Sequence, residues 1–469
     1  MRAVRVRRRL TLFDGRRVSG RLLRGMGSSF AANTAAAGVA FGSSLVLART
    51  LGSEPFGVFT FVNSWLNIAV LVATLGLDAA LVRFLPEYTA QKDWSAIRGV
   101  LGWSRRTALS ASFVAAAILA TIGGGLYLHN GSVAGLTACI AAASLPLLAL
   151  VAVNQGALQG FQRVGFSQTP RAILRPLLLT IGAVGFWLHG TALSAPGAMA
   201  LNAVALAIAV WVGSRWLQRA VPAAASATPP RLDGRHWLRV ALPMLLVSGM
   251  GILLHETSVI VTGVFAGTTM AGVYAVATRL SRMLAFGMTA ANSIANPMIA
   301  ELHAQRDLRR LQLVASTAST VSLSIAAMLL AALAMGGTRL LSAFGDAFEA
   351  GQGVVLILAI GQLFNAATGP VAGLLNMTGR HDQYARITMT MTTLNLIGNV
   401  PAVAVWGIQG AAAVTGTLIA VQNIWAWYAV RRSIGIDSTP FGFLRARSIS
   451  ASSVNKREHA QELAQRRAA

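Results

Sequence analysis

The chain has 469 residues, of which 55% are hydrophobic and only 12% are charged, whereas a soluble domain carries about 25% charged residues. This composition excludes a soluble enzyme and predicts a multi-pass membrane protein, because the apolar residues form blocks longer than a buried core helix needs. Basic residues outnumber acidic ones by 39 to 15, but they fall mostly in short gaps between the apolar blocks. We therefore expect no nucleic-acid partner, which would require the charge on one exposed face.

In chain order, the first feature is a basic segment at 1–25 that contains nine arginines. Its pattern resembles a twin-arginine or secretory signal. However, the apolar block that follows is long enough to span a membrane, and further blocks come after it. These arginines therefore predict a cytoplasmic anchor for the first helix.

Long apolar blocks without charged residues follow, and the longest, such as 107–162, contain internal turn signals such as His-Asn-Gly at 129–131. A helix crosses about 30 Å of hydrocarbon with ~20 residues, so these blocks divide at their turns. The predicted spans are 27–49, 55–82, 106–128, 133–158, 169–188, 195–216, 238–263, 269–297, 311–335, 351–377, 384–405 and 409–430.

The distribution of basic residues supports this count of twelve. With the N-terminus in the cytoplasm, 35 of the 39 basic residues fall in segments on that side, as the positive-inside rule requires. Three of these 35 basic residues are Arg163, Arg171 and Arg175, around the start of the predicted span 169–188. The exceptions are Arg49, Arg279, Arg282 and Arg339. Both termini are therefore predicted to be cytoplasmic.

Three short motifs recur at nearly one offset along the chain. They are Gly52–Phe59 with Gly267–Tyr274, Ala90–Asp93 with Ala304–Asp307, and Arg163 with Arg380. The repeat predicts two halves of six helices each. Because six is even, both halves start on the same side, so the pseudo-two-fold axis runs along the membrane normal. The Pro- and Ala-rich stretch at 217–237 falls where the two halves join.

The predicted architecture is an all-α polytopic membrane protein with five regions. These are a basic cytoplasmic N-terminal segment (1–25), an N-lobe with spans 1–6 (26–216), a cytoplasmic linker (217–237), a C-lobe with spans 7–12 (238–432) and a basic cytoplasmic tail (433–469). The tail is expected to be disordered or to lie on anionic lipids.

Several of these turns carry a resemblance to a known family. The residues concerned are Ala48–Gly57 (ARTLGSEPFG), Gly76–Glu87 (GLDAALVRFLPE), Gly272–Ala277 (GVYAVA) and Asn296-Pro297. Over about residues 30–430 the chain resembles the multidrug/oligosaccharidyl-lipid/polysaccharide exporter superfamily. Within it, the chain is most similar to the Wzx-type flippases of lipid-linked oligosaccharides.

This resemblance implies two six-helix lobes around a central cavity, lined mainly by spans 1, 2, 7 and 8, that opens alternately to either side. It implies a cargo of undecaprenyl-pyrophosphate-linked oligosaccharide, moved to the periplasmic leaflet of a bacterial inner membrane for surface polysaccharide biosynthesis. Expected partners are this lipid-linked oligosaccharide, anionic lipids, a polysaccharide polymerase and glycosyltransferases.

Ionisable residues within a span are costly and normally face a cavity or a partner. Arg279 and Arg282 lie three apart on one face of span 8, and we expect them to bind the pyrophosphate, because guanidinium groups match phosphate oxygens. The repeat offset places Asn63 and Asn67 of span 2 at the same depth as further substrate-binding candidates. In span 7, Glu256 would be a counter-ion; by the resemblance it could instead help to bind Na⁺ or H⁺. Alternatively, an arginine–glutamate pair there only fixes the packing of spans 7 and 8.

Three further charged residues lie near span ends. Arg49, at the outer end of span 1, is a substrate-binding or gate candidate, or it forms an interfacial pair with Glu54. Asp78 and Arg83, near the inner end of span 2, are gate candidates, or they only anchor the helix end.

We expect no cofactor, metal site or catalytic group, beyond the Na⁺ or H⁺ coupling considered above. The seven histidines never cluster at metal-ligand spacing, and no phosphate-binding Gly-x-x-x-x-Gly-Lys loop occurs.

Two alternatives to the flippase remain. A cation-coupled multidrug exporter of the same superfamily would have an acidic cavity. A membrane-embedded glycosyltransferase or polymerase would need catalytic carboxylates or large outer loops, and the longest outer loop, 336–350, is short.

Overall fold

The computed structural model describes residues 35–443, and every regular element in that range is helical. The helices are α1 (Ala35–Leu51), α2 (Ser53–Thr74), α3 (Leu77–Gln91), α4 (Trp94–Asn130), α5 (Val133–Ala142), α6 (Ser144–Gly160), α7 (Val164–Thr169), α8 (Arg175–Leu188), α9 (Ala195–Ala220), α10 (Ala223–Ala227), α11 (Gly234–Phe265), α12 (Thr268–Arg282), α13 (Ala285–Ala304), α14 (Leu308–Ser342), α15 (Gln352–Thr368), α16 (Val371–Met377) and α17 (His381–Ile434). A π-helical turn (Pro170–Leu174) joins α7 to α8, and a 3₁₀ turn (Asp346–Gly351) precedes α15. The predicted segment 1–25 and most of the predicted tail lie outside this range.

These helices make the chain a multi-pass membrane protein. Between residues 35 and 443, seven helices are long and apolar enough to cross a membrane, and nine if each of two bent pairs counts as one span. The bends, of 48° and 47°, lie between α5 and α6 and within α11. The seven include α17, which has 54 residues and a non-helical residue, Gly407, at φ 56° and ψ −140°. The twelve-span count stays a prediction.

The two parts of α17 run antiparallel on either side of Gly407. The guanidinium group of Arg380, just before the helix, donates a hydrogen bond of 2.8 Å to the carbonyl oxygen of Ser433 near its end. Gly407 lies between the predicted spans 384–405 and 409–430, and a glycine readily adopts its positive φ.

Several predicted spans are broken rather than continuous; 133–158 divides into α5 and α6, and 351–377 divides into α15 and α16. Span 55–82 is interrupted by Leu75 and Gly76, which adopt left-handed conformations with φ of 51° and 73°. Span 269–297 is likewise divided, because α12 ends at Arg282 and α13 begins at Ala285. This last break directly follows Arg279 and Arg282, which interrupt the apolar pattern of the span.

The repeated motifs form matching turns. Gly52 and Gly267 cap α2 and α12 with φ of 79° and 90°. Asp93 and Asp307 cap α4 and α14, and each carboxylate accepts a 3.0 Å hydrogen bond from the backbone N–H three residues ahead. The residues before them, Lys92 and Arg306, are left-handed at φ 56° and 57°.

The α2 and α12 helices cross where two glycines of the repeat meet. The backbone of Gly57 lies against Thr268. A Cβ at residue 272 would lie only 2.8 Å from the Cα of Gly57. Such a close approach needs both side chains to be absent. The first halves of the two repeat units therefore pack directly on each other.

Aromatic side chains close the end of the molecule near this crossing. Phe41 meets Phe344 and Phe56 meets Phe348 edge-to-face, with ring centroids 5.5 and 5.7 Å apart. We call this group the phenylalanine end. It joins α1 and α2 to the segment between α14 and α15.

At the opposite end, the N-terminal half contacts the linker and α11 through both polar and aromatic groups, including Trp103 against Trp237 with ring centroids 5.6 Å apart. The indole Nε1 of Trp237 donates to the Tyr88 hydroxyl at 3.1 Å, and Arg231 pairs with Asp93 at 2.9 Å. Here α3 packs against α4, α6 and α11, whereas its repeat counterpart α13 packs against α14, α15 and α16. Helices α3 and α13 thus have separate partners.

We expect Gly57→Leu to separate α2 from α12, because any Cβ at residue 57 would overlap the Thr268 carbonyl. The cost is about 1–3 kcal/mol of stability, measurable as a lower melting temperature in detergent. The matched control is Gly102→Leu. Gly102 is exposed, and a Cβ at this residue would have no other atom within 4 Å. Equal melting temperatures for both variants would show that the crossing is not tightly packed.

Candidate functional site

Two adjacent serines of α1 bond to different halves of the molecule, Ser43 to its own half and Ser44 to the C-terminal half. The Ser43 hydroxyl donates to the Pro176 carbonyl oxygen of α8 at 3.1 Å. The guanidinium group of Arg279, in α12, donates to the Ser44 hydroxyl. Helix α1 therefore lies where α8 and α12 meet, in the middle of the molecule.

Arg175 is fixed by two asparagines in the same region. Its Nε donates to Asn202 Oδ1 of α9 at 2.8 Å, and its Nη2 donates to Asn63 Oδ1 of α2, also at 2.8 Å. Asn202 is fully buried. The predicted substrate-binding residue Asn63 thus holds an arginine of its own half.

The π-helical turn explains why two arginines point into this region. Pro176 has no N–H and cannot continue the α-helical hydrogen bonds, and the N–H of Arg175 bonds to the Pro170 carbonyl oxygen five residues back. Turns of this kind often occur at functional sites. Arg171, within the turn, interacts electrostatically with both Asp78 and Glu256.

Glu256 of α11 is surrounded by positive charge. Its Oε1 accepts a 3.1 Å hydrogen bond from Asn67 Nδ2, and it interacts electrostatically with Arg171, Arg279 and Arg282. Within residues 35–443, however, neither Glu256 nor Asp78 has an arginine nitrogen within 4.0 Å of its carboxylate. The carboxylates are near the arginines but not paired with them.

These residues form one group, the central arginine cluster, with four guanidinium groups and two carboxylates. Its members are Arg171, Arg175, Arg279, Arg282, Asp78 and Glu256. The excess of positive charge and the absence of close ion pairs in the described part of the chain leave guanidinium N–H groups free to bind an anion.

The cluster is not sealed in a dry seam. Arg282 is exposed and the other members are partly exposed, although Tyr274, two turns before Arg282, is only 1% exposed. Arg282 interacts with Glu256 and Tyr274, so its accessible surface lies between α11 and α12. Arg279 and Arg282 lie in α12 with Glu256 of span 7 nearby, and their binding to substrate stays a prediction.

The structure does not bring the other predicted residues into the cluster as a set. Arg49 lies at the phenylalanine end, where its Nη2 donates to the Ser342 carbonyl oxygen at 2.9 Å and its Nε to Ala343. Asp78 interacts with Arg171 rather than with Arg83, and Arg83 is exposed. The predicted gate pair is therefore not a contact in this structure.

Sequence reasoning missed Arg171 and Arg175, which it counted as cytoplasmic. Both lie inside the predicted span 169–188, and this position was the signal that could have identified them. The flanking prolines, Pro170 and Pro176, were a second signal, since two prolines six apart disturb an α-helix. No group of three metal-ligating side chains occurs among the described residues.

Comparisons with known proteins agree with this fold. The family described as polysaccharide biosynthesis protein matches residues 22–303. The probable low-salt glycan biosynthesis flippase Agl15 of Haloferax volcanii is 24% identical over 403 residues, which cover 84% of this chain and 80% of that protein. The probable flippase AglR of the same organism is 25% identical over 178 residues, 37% of each chain.

Two solved structures share the fold. The lipid II flippase MurJ, in an inward closed conformation, has a TM-score of 0.68 at 12% identity and covers 86% of this chain and 87% of its own. An inward-facing multidrug resistance MATE family transporter of the MOP superfamily has a TM-score of 0.67 at 15% identity, with coverage of 89% and 96%.

We expect Arg175→Ala to destabilise the protein by about 1–3 kcal/mol, because it leaves the buried Asn202 amide oxygen and that of Asn63 without their donor. The melting temperature in detergent measures this loss. Arg309→Ala is the control, since Arg309 is exposed at the start of α14. If both variants melt at the wild-type temperature, Arg175 does not fix α8.

Proposed function

We propose a flippase function for this chain, which belongs to the polysaccharide biosynthesis protein family through its match over residues 22–303. It translocates undecaprenyl-pyrophosphate-linked oligosaccharides across a bacterial inner membrane for surface polysaccharide biosynthesis. Both relatives are named as probable flippases, and these names support the reaction class. The single observation that carries the substrate class is the excess of arginine in the central arginine cluster.

The chemistry of the cluster favours a pyrophosphate headgroup. A pyrophosphate offers several negatively charged oxygens, and a guanidinium group binds two of them at once in a planar fork. Arg171 and Arg175 come from the N-terminal half, whereas Arg279 and Arg282 come from the C-terminal half. An anion held among them contacts both halves, so its binding energy can bias one arrangement of the halves over the other.

Glu256 acts in this proposal as the counter-ion of the empty cluster. Asn67 holds its carboxylate, and three arginines lie within electrostatic range. The same arginines would repel Na⁺, so this surrounding favours the counter-ion over a cation ligand. Coupling to Na⁺ or H⁺ would then use other groups.

The proposed topology has twelve spans, with both termini in the cytoplasm and a pseudo-two-fold axis along the membrane normal. The matching turns at Gly52 and Gly267 and at Asp93 and Asp307 support it. So does the contact between Gly57 and Gly272, since repeat-related residues meet at such an axis. With this orientation, the phenylalanine end is periplasmic.

In this proposal transport proceeds by alternating access, and the end at α3 and α13 is the one that opens to the cytoplasm. The phenylalanine end and the bonds from Arg49 to the segment after α14 close the outer side, whereas α3 and α13 have separate partners at the inner side. Arg49 is thus assigned to the outer gate rather than to substrate. Asp78 and Arg83 lie on the inner side, and opening there changes their surroundings.

Two other functions have weaker support. A multidrug exporter of the same superfamily shares the fold, but a basic cluster does not attract cationic drugs. A membrane-embedded glycosyltransferase or polymerase would need catalytic carboxylates, and those of the cluster lie among arginines. A polymerase and glycosyltransferases remain proposed partners, which make and use the cargo.

We expect Arg282→Ala to insert normally but to transport at about one-tenth of the wild-type rate or less, because one charge-assisted contact to the pyrophosphate is lost. Arg282→Lys should retain part of the activity, since an ammonium keeps the charge but not the fork. The readout is translocation of a pyrophosphate-linked sugar lipid in proteoliposomes.

The control is Arg309→Ala, which removes an exposed arginine outside the cluster and should transport at the wild-type rate. Wild-type transport by Arg282→Ala, at equal amounts of inserted protein, would contradict the proposed substrate site.

A further inference from the structure

A second basic cavity lies between the two antiparallel parts of α17, at the end where Arg380 meets Ser433. Its volume is about 710 Å³. The lining residues that matter are Arg380, Arg386, Arg432, Gln383, Trp425 and Tyr428. None of the lining residues belongs to a helix of the central arginine cluster. We call this cavity the α17 groove.

The groove is positively charged and contains no carboxylate among its lining residues. Arg380 is engaged with the Ser433 carbonyl oxygen at 2.8 Å. Arg386 and Arg432 are exposed, and neither forms an ion pair with another residue of the described range. Within the same range, Arg386 donates only through its Nε, to the Asp382 carbonyl oxygen at 3.4 Å, so both guanidinium groups keep N–H groups that can bind an anion.

Two polar atoms in the groove lack partners as well. The Ser433 hydroxyl oxygen and the Gln383 amide oxygen are buried and have no hydrogen-bond partner within residues 35–443. A buried polar group without a partner costs free energy unless a ligand or water satisfies it. A phosphate oxygen could accept a hydrogen bond from the serine hydroxyl.

The same groove has an apolar, aromatic wall. Trp425 is 43% exposed and Tyr428 is 54% exposed, and Ile387 and Met389 complete the wall. Tryptophan and tyrosine favour the interface between headgroups and acyl chains. An occupant with a charged head and an apolar tail matches both parts of the groove.

We propose that the α17 groove binds the phosphate headgroup of an anionic glycerophospholipid from the cytoplasmic leaflet. Basic pockets between membrane helices on that side are suited to such headgroups. The chain's own segment after residue 443 is a poor occupant, because it carries arginines such as Arg445 and Arg447 and would be repelled. The site is separate from the proposed transport site, so either can fail alone.

Native mass spectrometry of the full chain with added phosphatidylglycerol tests this assignment. We expect the double variant Arg386→Gln with Arg432→Gln to retain one bound phosphatidylglycerol fewer than wild type and to bind the lipid about tenfold more weakly. The matched control is Arg431→Gln, at an exposed arginine that lies over Trp427 and does not line the groove. It should bind like wild type, and phosphatidylcholine should not compete.

Equal binding by the double variant and wild type would overturn the site, and an equal loss in Arg431→Gln would indicate only general surface charge. Displacement of bound phosphatidylglycerol by an equal concentration of undecaprenyl phosphate would overturn the choice of lipid.

If the double variant does not fold, brominated phosphatidylglycerol provides a second readout. The brominated lipid should quench the tryptophan fluorescence of the wild type more than that of Trp425→Phe. Equal quenching of the two proteins would exclude the groove.

Discussion

Four guanidinium groups lie among apolar helices, with two carboxylates near them in the range 35–443, and neither of these carboxylates is close enough to an arginine to form an ion pair. An ionised residue at the centre of a bilayer costs about 2.5–3.5 kcal/mol on insertion scales. Hydrogen bonds that Arg175 donates to Asn63 and Asn202 and that Arg279 donates to Ser44 offset part of that cost. The remaining charge requires water or an anion, and this requirement connects the fold to its proposed cargo.

The arrangement of the helices decides from which side an anion reaches the cluster. Small residues let the halves meet closely at one end, where Gly57 approaches α12 and phenylalanine rings fill the space beyond. At the other end, α3 also approaches α11 closely, at Gly76 and Ala241, but α3 and α13 pack on different neighbours. A molecule built this way can change the contacts at one end while the glycine crossing at the other end keeps the halves together.

Much of the fold could be predicted from the sequence, because the repeated turns depend on local chemistry. Asp93 and Asp307 cap their helices through bonds that span only three residues. The cluster was found only in part. Arg279 and Arg282 were recognised because they interrupt an apolar helix, but Arg171 and Arg175 lie beside a helix start and resemble loop residues. Their position depends on a π-helical turn and on contacts with α2 and α9, which are distant in sequence. The long-range bonds of Arg49 are similarly invisible to patterns of charge.

Thiol accessibility at residue 282 tests most directly whether the cluster faces an aqueous chamber. Cys139 is the only cysteine, so Arg282→Cys with Cys139→Ser carries a single reactive thiol, and Ile181→Cys in the same background places one on an exposed apolar surface of α8. We expect a membrane-impermeant maleimide added from the cytoplasmic side to label residue 282 but not residue 181. Labelling of neither residue by the impermeant reagent, with both labelled by a lipid-soluble maleimide, would place Arg282 against acyl chains and contradict the anion-binding cluster.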